Sequence, residues 1–345
     1  MSAPMVATRE LGVVIITRNE ATRIARCIES ILQATARSFA DTDIVVVDSD
    51  SSDDTTTIAS RYPVRVFRYR ARRMSAAAGR WIGSQHVDGR YILFIDGDCE
   101  LVPGWLETAI AHMETDATAG VICGARRNAH VENGRVEVSD GGNDLGGTAL
   151  YRRDALVRCK GFNPFIVGSE EQELRVRLEA CGFHARQTMD PMSVHHTGKK
   201  ESIAGMWRRH RSGMQSGPGQ VLRVALRDGL FRQHAQRFDR YLLTFVFLAS
   251  GVIATVLALF GHDRPIEEWA VVGIAGFLLL AWRRRSMRDA GFIILDWISV
   301  AVGSAWTFVK PPRAHEEFVY TLERVAPAMV EPTAEPRGAA AVRAS

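Results

Sequence analysis

Apolar residues follow three different rhythms along this chain, and each rhythm predicts a different kind of element. In the N-terminal part they come in short unbroken runs: Leu11–Ile16, Ile44–Val47 inside Asp43–Asp48, and Tyr91–Ile95. Runs of that length, rich in β-branched and aromatic residues, read as strands buried on both faces of a parallel sheet. Between the first two the spacing changes to three and four, with Ile24, Cys27, Ile28, Ile31 and Leu32 on one helical face. Val64–Tyr69 reads as a further strand and Ser75–Val87 as a second helix. Alternation of this kind predicts a doubly wound α/β sheet.

The pattern is less regular further on. Val121–Ala125 and Val136–Ser139 read as strands, with Asn133-Gly134 suited to a hairpin turn, and Arg126–Asp144 is taken as a variable loop region. Gly146–Arg153 reads as a strand running into a short helix, and Pro191–His196 as a last short strand. Ser169 is placed to cap a helix that carries Leu174, Val176 and Leu178.

The third rhythm is a crowding of apolar residues near the C-terminus. Tyr241–Phe260 has no charged residue and is long enough to span a bilayer, whereas uncharged Trp269–Trp282 is marginal. Arginines 232, 237 and 240 precede this pair and Arg283, Arg284, Arg285 and Arg288 follow it, while the loop His262–Glu268 is acidic. The positive-inside rule then predicts a hairpin with both ends cytoplasmic. Gly291–Val309 contains Asp296 and is followed by Lys310 and Arg313, which favours an interfacial helix over a third span. His315–Arg324 reads as a short amphipathic helix, and the alanine-rich Pro332–Ser345 as a disordered tail.

These patterns divide the 345 residues into a tail (1–10), a soluble α/β domain (11–230), a membrane region (241–310, with a hairpin over 241–282 and a third segment over 291–309) and a C-terminal part (311–345). A net charge of +4, with no stripe of interleaved basic and aromatic residues, argues against nucleic acid as a partner. Five scattered cysteines without a C-x-x-C pair argue against a disulfide framework or a zinc site and suit a reducing cytoplasm. MSAPMVATRELG lacks the basic-then-apolar order of a signal peptide.

The chemistry gathers where the strands end. Tyr91–Ile95 runs into Asp96-Gly97-Asp98, two carboxylates one residue apart at the place where open α/β sheets hold ligands. Like charges so close call for a cation, and a divalent ion carrying phosphate oxygens suits them; a solvated turn is the bland alternative. Glu20 and Asp48 follow the first two strands, where helix capping is also open to them.

Taken in order, VVIITRNE, DIVVVDSDSSDDT, GRWIG, YILFIDGD, GGTALYRR and GSEEQELRVRL resemble the inverting family 2 glycosyltransferases over roughly Leu11 to Thr197. The resemblance implies a GT-A fold, a Rossmann-like mixed sheet that binds a nucleoside-diphosphate sugar, here followed by transmembrane or interfacial helices. It implies that Thr17, Glu20 and Asp48 hold the nucleoside and that Arg80 lies near base and ribose, with Trp81 where relatives usually have Asn. Asp96 then reaches ribose or metal, Asp98 is the metal ligand, and the cofactor is Mg2+ or Mn2+. Glu171 matches the general base at a helix start, with Glu170 and Glu173 as alternatives; acids favour a first helical turn in any case. His195 is favoured over His196 as a further ligand, because adjacent strand residues face opposite ways. Arg208, Arg209 and Arg211 would either close over the diphosphate or meet anionic lipid heads.

The expected function is therefore transfer of a sugar to a lipid-linked saccharide or polysaccharide at the inner membrane, with the catalytic domain facing the cytoplasm. Two other readings stand: a polyprenyl-phosphate hexose synthase, and a catalytically silent scaffold that only binds the nucleotide sugar.

Overall fold

The computed structural model describes residues 9–132, 135–142, 145–196, 203–310, 313 and 317–327. Its centre is a ten-stranded mixed sheet. The three apolar runs form its middle as β1 (Leu11–Thr17), β2 (Asp43–Asp48) and β4 (Tyr91–Asp96), with β1 paired in parallel to both others. Helix α1 (Ile24–Thr35) connects β1 to β2. The short α2 (Thr55–Ala59) leads to β3 (Arg65–Ala71), and α3 (Ala76–His86) returns the chain to β4. Nearly every side chain of β1, β2 and β4 is buried, as strands covered on both faces require.

Helix α3 lies unusually close to β1, because a side chain at Gly83 would run into Val14. That proximity brings the neighbouring Arg80 down to the strand ends. After β4 come β5 (Cys99–Leu101), α4 (Trp105–Thr115), β6 (Ala119–Glu132), β7 (Arg135–Gly142), β8 (Thr148–Arg152) and α5 (Arg153–Arg158). Then follow α6 (Glu170–Ala180) and β9 (His184–His196). The sequence pattern gave no sign of β5, α4 or the first half of β9. Val136–Ser139 lies within β7, as expected of a strand, while the rest of Arg126–Asp144, expected as loop, is largely the long β6–β7 pair, although Asn133-Gly134 and Asn143-Asp144 lie outside the described residues. β8 pairs antiparallel with β4, and β9 lies between β6 and β5.

The C-terminal half begins with α7 (Ile203–Ser212), a 3-10 turn at Met214–Ser216, α8 (Gly217–Arg227) and α9 (Phe231–Arg237). His234 on α9 is fully buried, and burial together with Arg177 and Arg237 lowers its pKa to about 4. Three long apolar helices follow: α10 (Asp239–Leu259), α11 (Arg264–Arg284) and α12 (Met287–Phe308). The marginal segment Trp269–Trp282 is thus the middle of a longer helix. α10 and α11 clasp each other through Trp269, which stacks on Phe247 at 4.7 Å and donates Nε1–H to the Phe247 carbonyl at 2.8 Å. Most other apolar side chains of this pair are exposed, among them Leu243, Val246, Ile253, Val271 and Leu279.

α12 is different. Its polar positions face the 3-10 turn: Thr307 donates to the Ser216 carbonyl at 2.8 Å, Ser299 to Gln215 at 2.6 Å, and Asp296 accepts from Gln215 at 2.8 Å.

The segment expected as an amphipathic helix, His315–Arg324, is instead partly a strand, β10 (Tyr320–Val325), with 314–316 outside the described residues. β10 pairs antiparallel with β3 along its whole length. An uncovered β3 edge would leave a row of unpaired backbone groups, and β10 supplies their partners. The sheet therefore draws on both sides of the apolar helices, and the α/β unit is not confined to 11–230.

Candidate functional site

The register of the parallel strands lines up the first site residues. Thr17 pairs with Asp48 across β1 and β2, and Ile16 with Asp96 across β1 and β4, so their side chains emerge along one C-terminal edge. Two loops meet there, laced by hydrogen bonds: Asn19 N–H donates to Ser51 Oγ (2.8 Å) and Glu20 N–H to Thr55 Oγ1 (2.8 Å). Asp48 is fully buried and accepts the Ser51 N–H at 2.8 Å, with Arg68 at 3.8 Å. Burial raises its pKa against the pull of those donors. Glu20 is paired with Arg23 at 2.6 Å, and burial with the nearby Asp98 raises its pKa. Thr17 Oγ1 is buried without a hydrogen-bond partner among the described residues.

Arg80 stands at the centre. It is 3% exposed and reaches three carboxylates: Asp96 (2.9 Å), Glu170 (2.7 Å) and Glu171 (3.0 Å). Sequence reasoning set Arg80 beside base and ribose; here its guanidinium is occupied by protein carboxylates. It joins the β4 end to the α6 start, two elements far apart in sequence. One cation among three carboxylates leaves net negative charge, and the remaining acids respond. Burial, with Asp98 and Glu171 adding and Arg80 opposing, raises Asp96 to about 6. Burial and Glu171 likewise raise Glu170 to about 7. Glu173, the third acid of that turn, faces away and pairs with Arg177.

The start of α6 departs from expectation. Ser169 occupies the N-cap position, but in a left-handed conformation and without a side-chain cap bond. The acids Glu170, Glu171 and Glu173 supply the favourable charge at that helix end instead. Of the two adjacent glutamates, Glu170 is the more enclosed, with side-chain exposure of 8% against 16% for Glu171.

On the other side of Asp96, Asp98 meets His195. Their separation, Oδ2 to Nε2, is 3.1 Å, set by the pairing of Cys99 with His195 across β5 and β9. His195 Nδ1 lies 3.3 Å from Asn128 Oδ1, so both ring nitrogens face oxygen acceptors. A ring whose Nδ1 is turned to Asn128 leaves Nε2 on the Asp98 side, where a metal would be held. Although burial opposes it, the His195 contact holds the Asp98 carboxyl below its usual pKa. Cys99 Sγ lies with these two groups, and burial raises that thiol well above its usual pKa. A carboxylate and an imidazole, with Asp96 next to them, form a donor set that fits Mn2+ or Mg2+. His196 points elsewhere and pairs with Glu100 at 2.7 Å. Asn128 had no sequence signal, because only the β6–β9 register brings it opposite His195.

The remaining predicted residues lie apart from this cluster. Arg209 sits 3.7 Å from Asp296 of α12, and Arg211 is exposed over the Trp207 ring at 5.7 Å. Arg208 is exposed as well. Trp81, beside Arg80, packs edge-on against Phe318 at 6.0 Å and Tyr320 at 5.9 Å, so it secures β10.

Comparison with known proteins adds to this geometry. Residues 12–167 match the family described as glycosyl transferase family 2. Among curated proteins the chain is similar to "Putative polypeptide N-acetylgalactosaminyltransferase 13" of Drosophila melanogaster, with 26% identity over 230 residues, 53% of this chain and 40% of that one. It is also similar to an uncharacterized glycosyltransferase of Rickettsia conorii, with 41% identity over 59 residues, 17% of this chain and 19% of that one. The chain thus spans less than half the length of these relatives. In three dimensions it is similar to a mannosyltransferase of Pyrobaculum calidifontis solved with GDP-Man and Mn2+. The TM-score is 0.59 at 18% identity, over 88% of this chain and 91% of the other, a likeness of fold.

Proposed function

We infer, for a chain whose residues 12–167 match glycosyl transferase family 2, that the protein moves a sugar from a nucleoside-diphosphate sugar to a membrane-borne acceptor, with inversion at the anomeric carbon. The observation that carries this reading is the arrangement around Arg80. Asp96 sits on one side of it beside Asp98 and His195, and Glu170-Glu171 sit on the other. Asp98 and His195 would hold a divalent cation, with Asp96 beside them. When bound, that ion supplies neutralisation of the negative charge that grows on the departing diphosphate.

The chain's own groups supply the rest. Glu171, the more open of the paired glutamates, accepts the proton of the attacking hydroxyl. Arg80 holds Glu170 and Glu171 at a fixed distance from Asp96, so base and donor site keep their spacing. Thr17 Oγ1, buried without a hydrogen-bond partner among the described residues, lies at the strand edge where the nucleotide would bind. The density of carboxylates disfavours an already ionised phosphate as nucleophile, and so speaks against the polyprenyl-phosphate hexose synthase reading.

Membrane association is supported by three helices long and apolar enough to cross a bilayer. The chain enters them from α9, and on leaving them it forms β10 in the same sheet as β1. An odd number of crossings would put β10 on the wrong side of the membrane. We therefore assign two crossings, α10 and α11, and place α12 along the interface with its polar positions toward α8 and the 3-10 turn. A catalytic domain facing the cytoplasm fits the arginines at both ends of that pair.

The test is a screen of UDP-, GDP- and dTDP-sugars with Mn2+, reading thermal stabilisation and nucleotide release on the full chain. The expected result is one donor that stabilises only with the cation and is turned over. Stabilisation without release of nucleotide under any acceptor condition would favour the silent scaffold instead.

A further inference from the structure

A cavity of about 300 Å3 opens between the start of α6 and the interfacial helix α12, lined among others by Ser169, Tyr241, Gln215 and Asp296. A chain of polar contacts runs along its wall. His210 Nδ1 lies 2.9 Å from Ser299 Oγ, Ser299 Oγ–H donates to Gln215 Oε1 at 2.6 Å, and Gln215 Nε2–H donates to Asp296 Oδ1 at 2.8 Å. Gln215 is 5% exposed, so this chain is built into the protein rather than lying on its surface.

Asp296 is the group to explain. A carboxylate on an apolar helix at a membrane surface is costly. Fastening α12 to the 3-10 turn accounts for Oδ1 alone, which takes both the Gln215 bond and the Arg209 contact at 3.7 Å. Oδ2 takes no hydrogen bond among the described residues, and the side chain remains 28% exposed in the cavity.

The cavity also adjoins the reacting groups. Ser169 directly precedes Glu170-Glu171, and Val167 N–H donates to Gln220 Oε1 at 3.0 Å. The Gly168 and Gly217 backbones are pressed so closely together that a Cβ on Gly217 would sit 2.8 Å from the Gly168 Cα. The start of α6 is thereby fixed against the membrane-side helices. Its position relative to the cavity does not depend on a mobile linker.

The balance of charge selects the occupant. Arg209 faces Asp296 at 3.7 Å, so their charges offset, and among the described residues no second cation lines the cavity. A phosphate would meet one arginine and, right beside it, a carboxylate that repels it. A head rich in hydroxyls would meet an open acceptor at Asp296 Oδ2, and its carbon face would fit Met214, Pro218 and Val300. We propose that this cavity binds the head of a membrane-borne acceptor whose nucleophile is a sugar hydroxyl, with Asp296 Oδ2 accepting a hydrogen bond from that sugar. This rests on the glycosyltransferase reading above and adds the class of acceptor, a neutral glycosyl head.

The experiment uses the full chain in nanodiscs holding equal mole fractions of monoglucosyl diacylglycerol and phosphatidic acid, with retained lipid counted by native mass spectrometry. The expected result is preferential retention of the glucolipid, falling about tenfold in Asp296→Asn, the scale of one charge-assisted hydrogen bond. Asparagine can still accept from Gln215, so the fold is kept; Mn2+-dependent stabilisation by the nucleotide sugar, read on the same samples, stays at the wild-type level. Unchanged glucolipid retention in Asp296→Asn overturns the proposal, as does preference for phosphatidic acid. If the wild type shows no stabilisation by any nucleotide sugar with Mn2+, the glycosyltransferase reading fails and takes this proposal with it.

Discussion

Nη2 of Arg80 lies 2.9 Å from Oδ1 of Asp96, and that contact ties the helix packed on β1 to the strand that delivers Asp98. The same guanidinium also holds Glu170 and Glu171. Removing it leaves three carboxylates close together with no counter-charge. Arg80→Met should therefore destabilise the folded protein by about 3–5 kcal/mol, the usual cost of breaking a buried ion pair from one side. A drop of several degrees in the thermal midpoint, partly recovered by Mn2+, is the expected measurement; an unchanged midpoint would show that the cluster is not held by charge.

Asp98 and His195 are expected to act together on the cation. Asp98→Asn and His195→Ala should each weaken Mn2+-dependent binding of the donor by roughly tenfold to a hundredfold, the range seen when metal-site partners are lost. Titration calorimetry with and without Mn2+ reads this directly. Binding that persists at wild-type strength in both variants would move the cation elsewhere.

Glu171→Gln should leave donor binding intact and lower transfer by roughly a hundredfold to ten-thousandfold, the contribution of a positioned general base. The measurement is single-turnover transfer at saturating donor. Should Glu170→Gln rather than Glu171→Gln show this pattern, the roles of the two neighbours are reversed.

Acid should weaken the protein through His234. Its pKa is lowered to about 4 in the folded chain, against about 6.5 when unfolded. Above the unfolded value the ring is neutral in both states and contributes nothing. As pH falls from about 6.5 toward 4, only the unfolded state takes up the proton, and stability drops by an amount on the order of 3 kcal/mol. His234→Leu should show a smaller loss of thermal midpoint between pH 7 and pH 5 than the wild type. An equal loss in both would assign the acid sensitivity to other groups.

Trp81 links the site helix to β10 through the rings of Phe318 and Tyr320. Trp81→Ala should cost about 3–5 kcal/mol, as for other large aromatic truncations, and expose the β3 edge. Hydrogen exchange at Val66–Arg70 is the direct measurement, with faster exchange expected there than in β1.

Much of the sheet's centre was readable from the chain, because strands buried on both faces must be unbroken apolar runs, and β1, β2 and β4 are. Their carboxylates stood out for the same reason, since a buried run has no other place for them than its end. What Arg80 touches was not readable, as its partners Glu170 and Glu171 come from an element that only tertiary packing brings near. β10 was misread because Phe318, Leu322 and Val325 fit a helical spacing as well as Phe318, Tyr320 and Leu322 fit a strand. The open edge of β3 decided the matter, and no local pattern reports an open edge. The cavity beside Asp296 was hidden likewise: Gln215 and Asp296 are 81 positions apart.

The pairing of β10 with β3 has a consequence for how the protein is made. β3 leaves the ribosome early, yet its partner is not translated until all three apolar helices have been. Throughout that interval the nascent sheet carries an unsatisfied margin beside Trp81, exposed to any other extended segment. Insertion of the helical pair and closure of the sheet thus become ordered events. Delayed insertion would prolong the period in which two such chains can join edge to edge, so this protein's yield should depend on the cell's insertion machinery as much as on its own sequence.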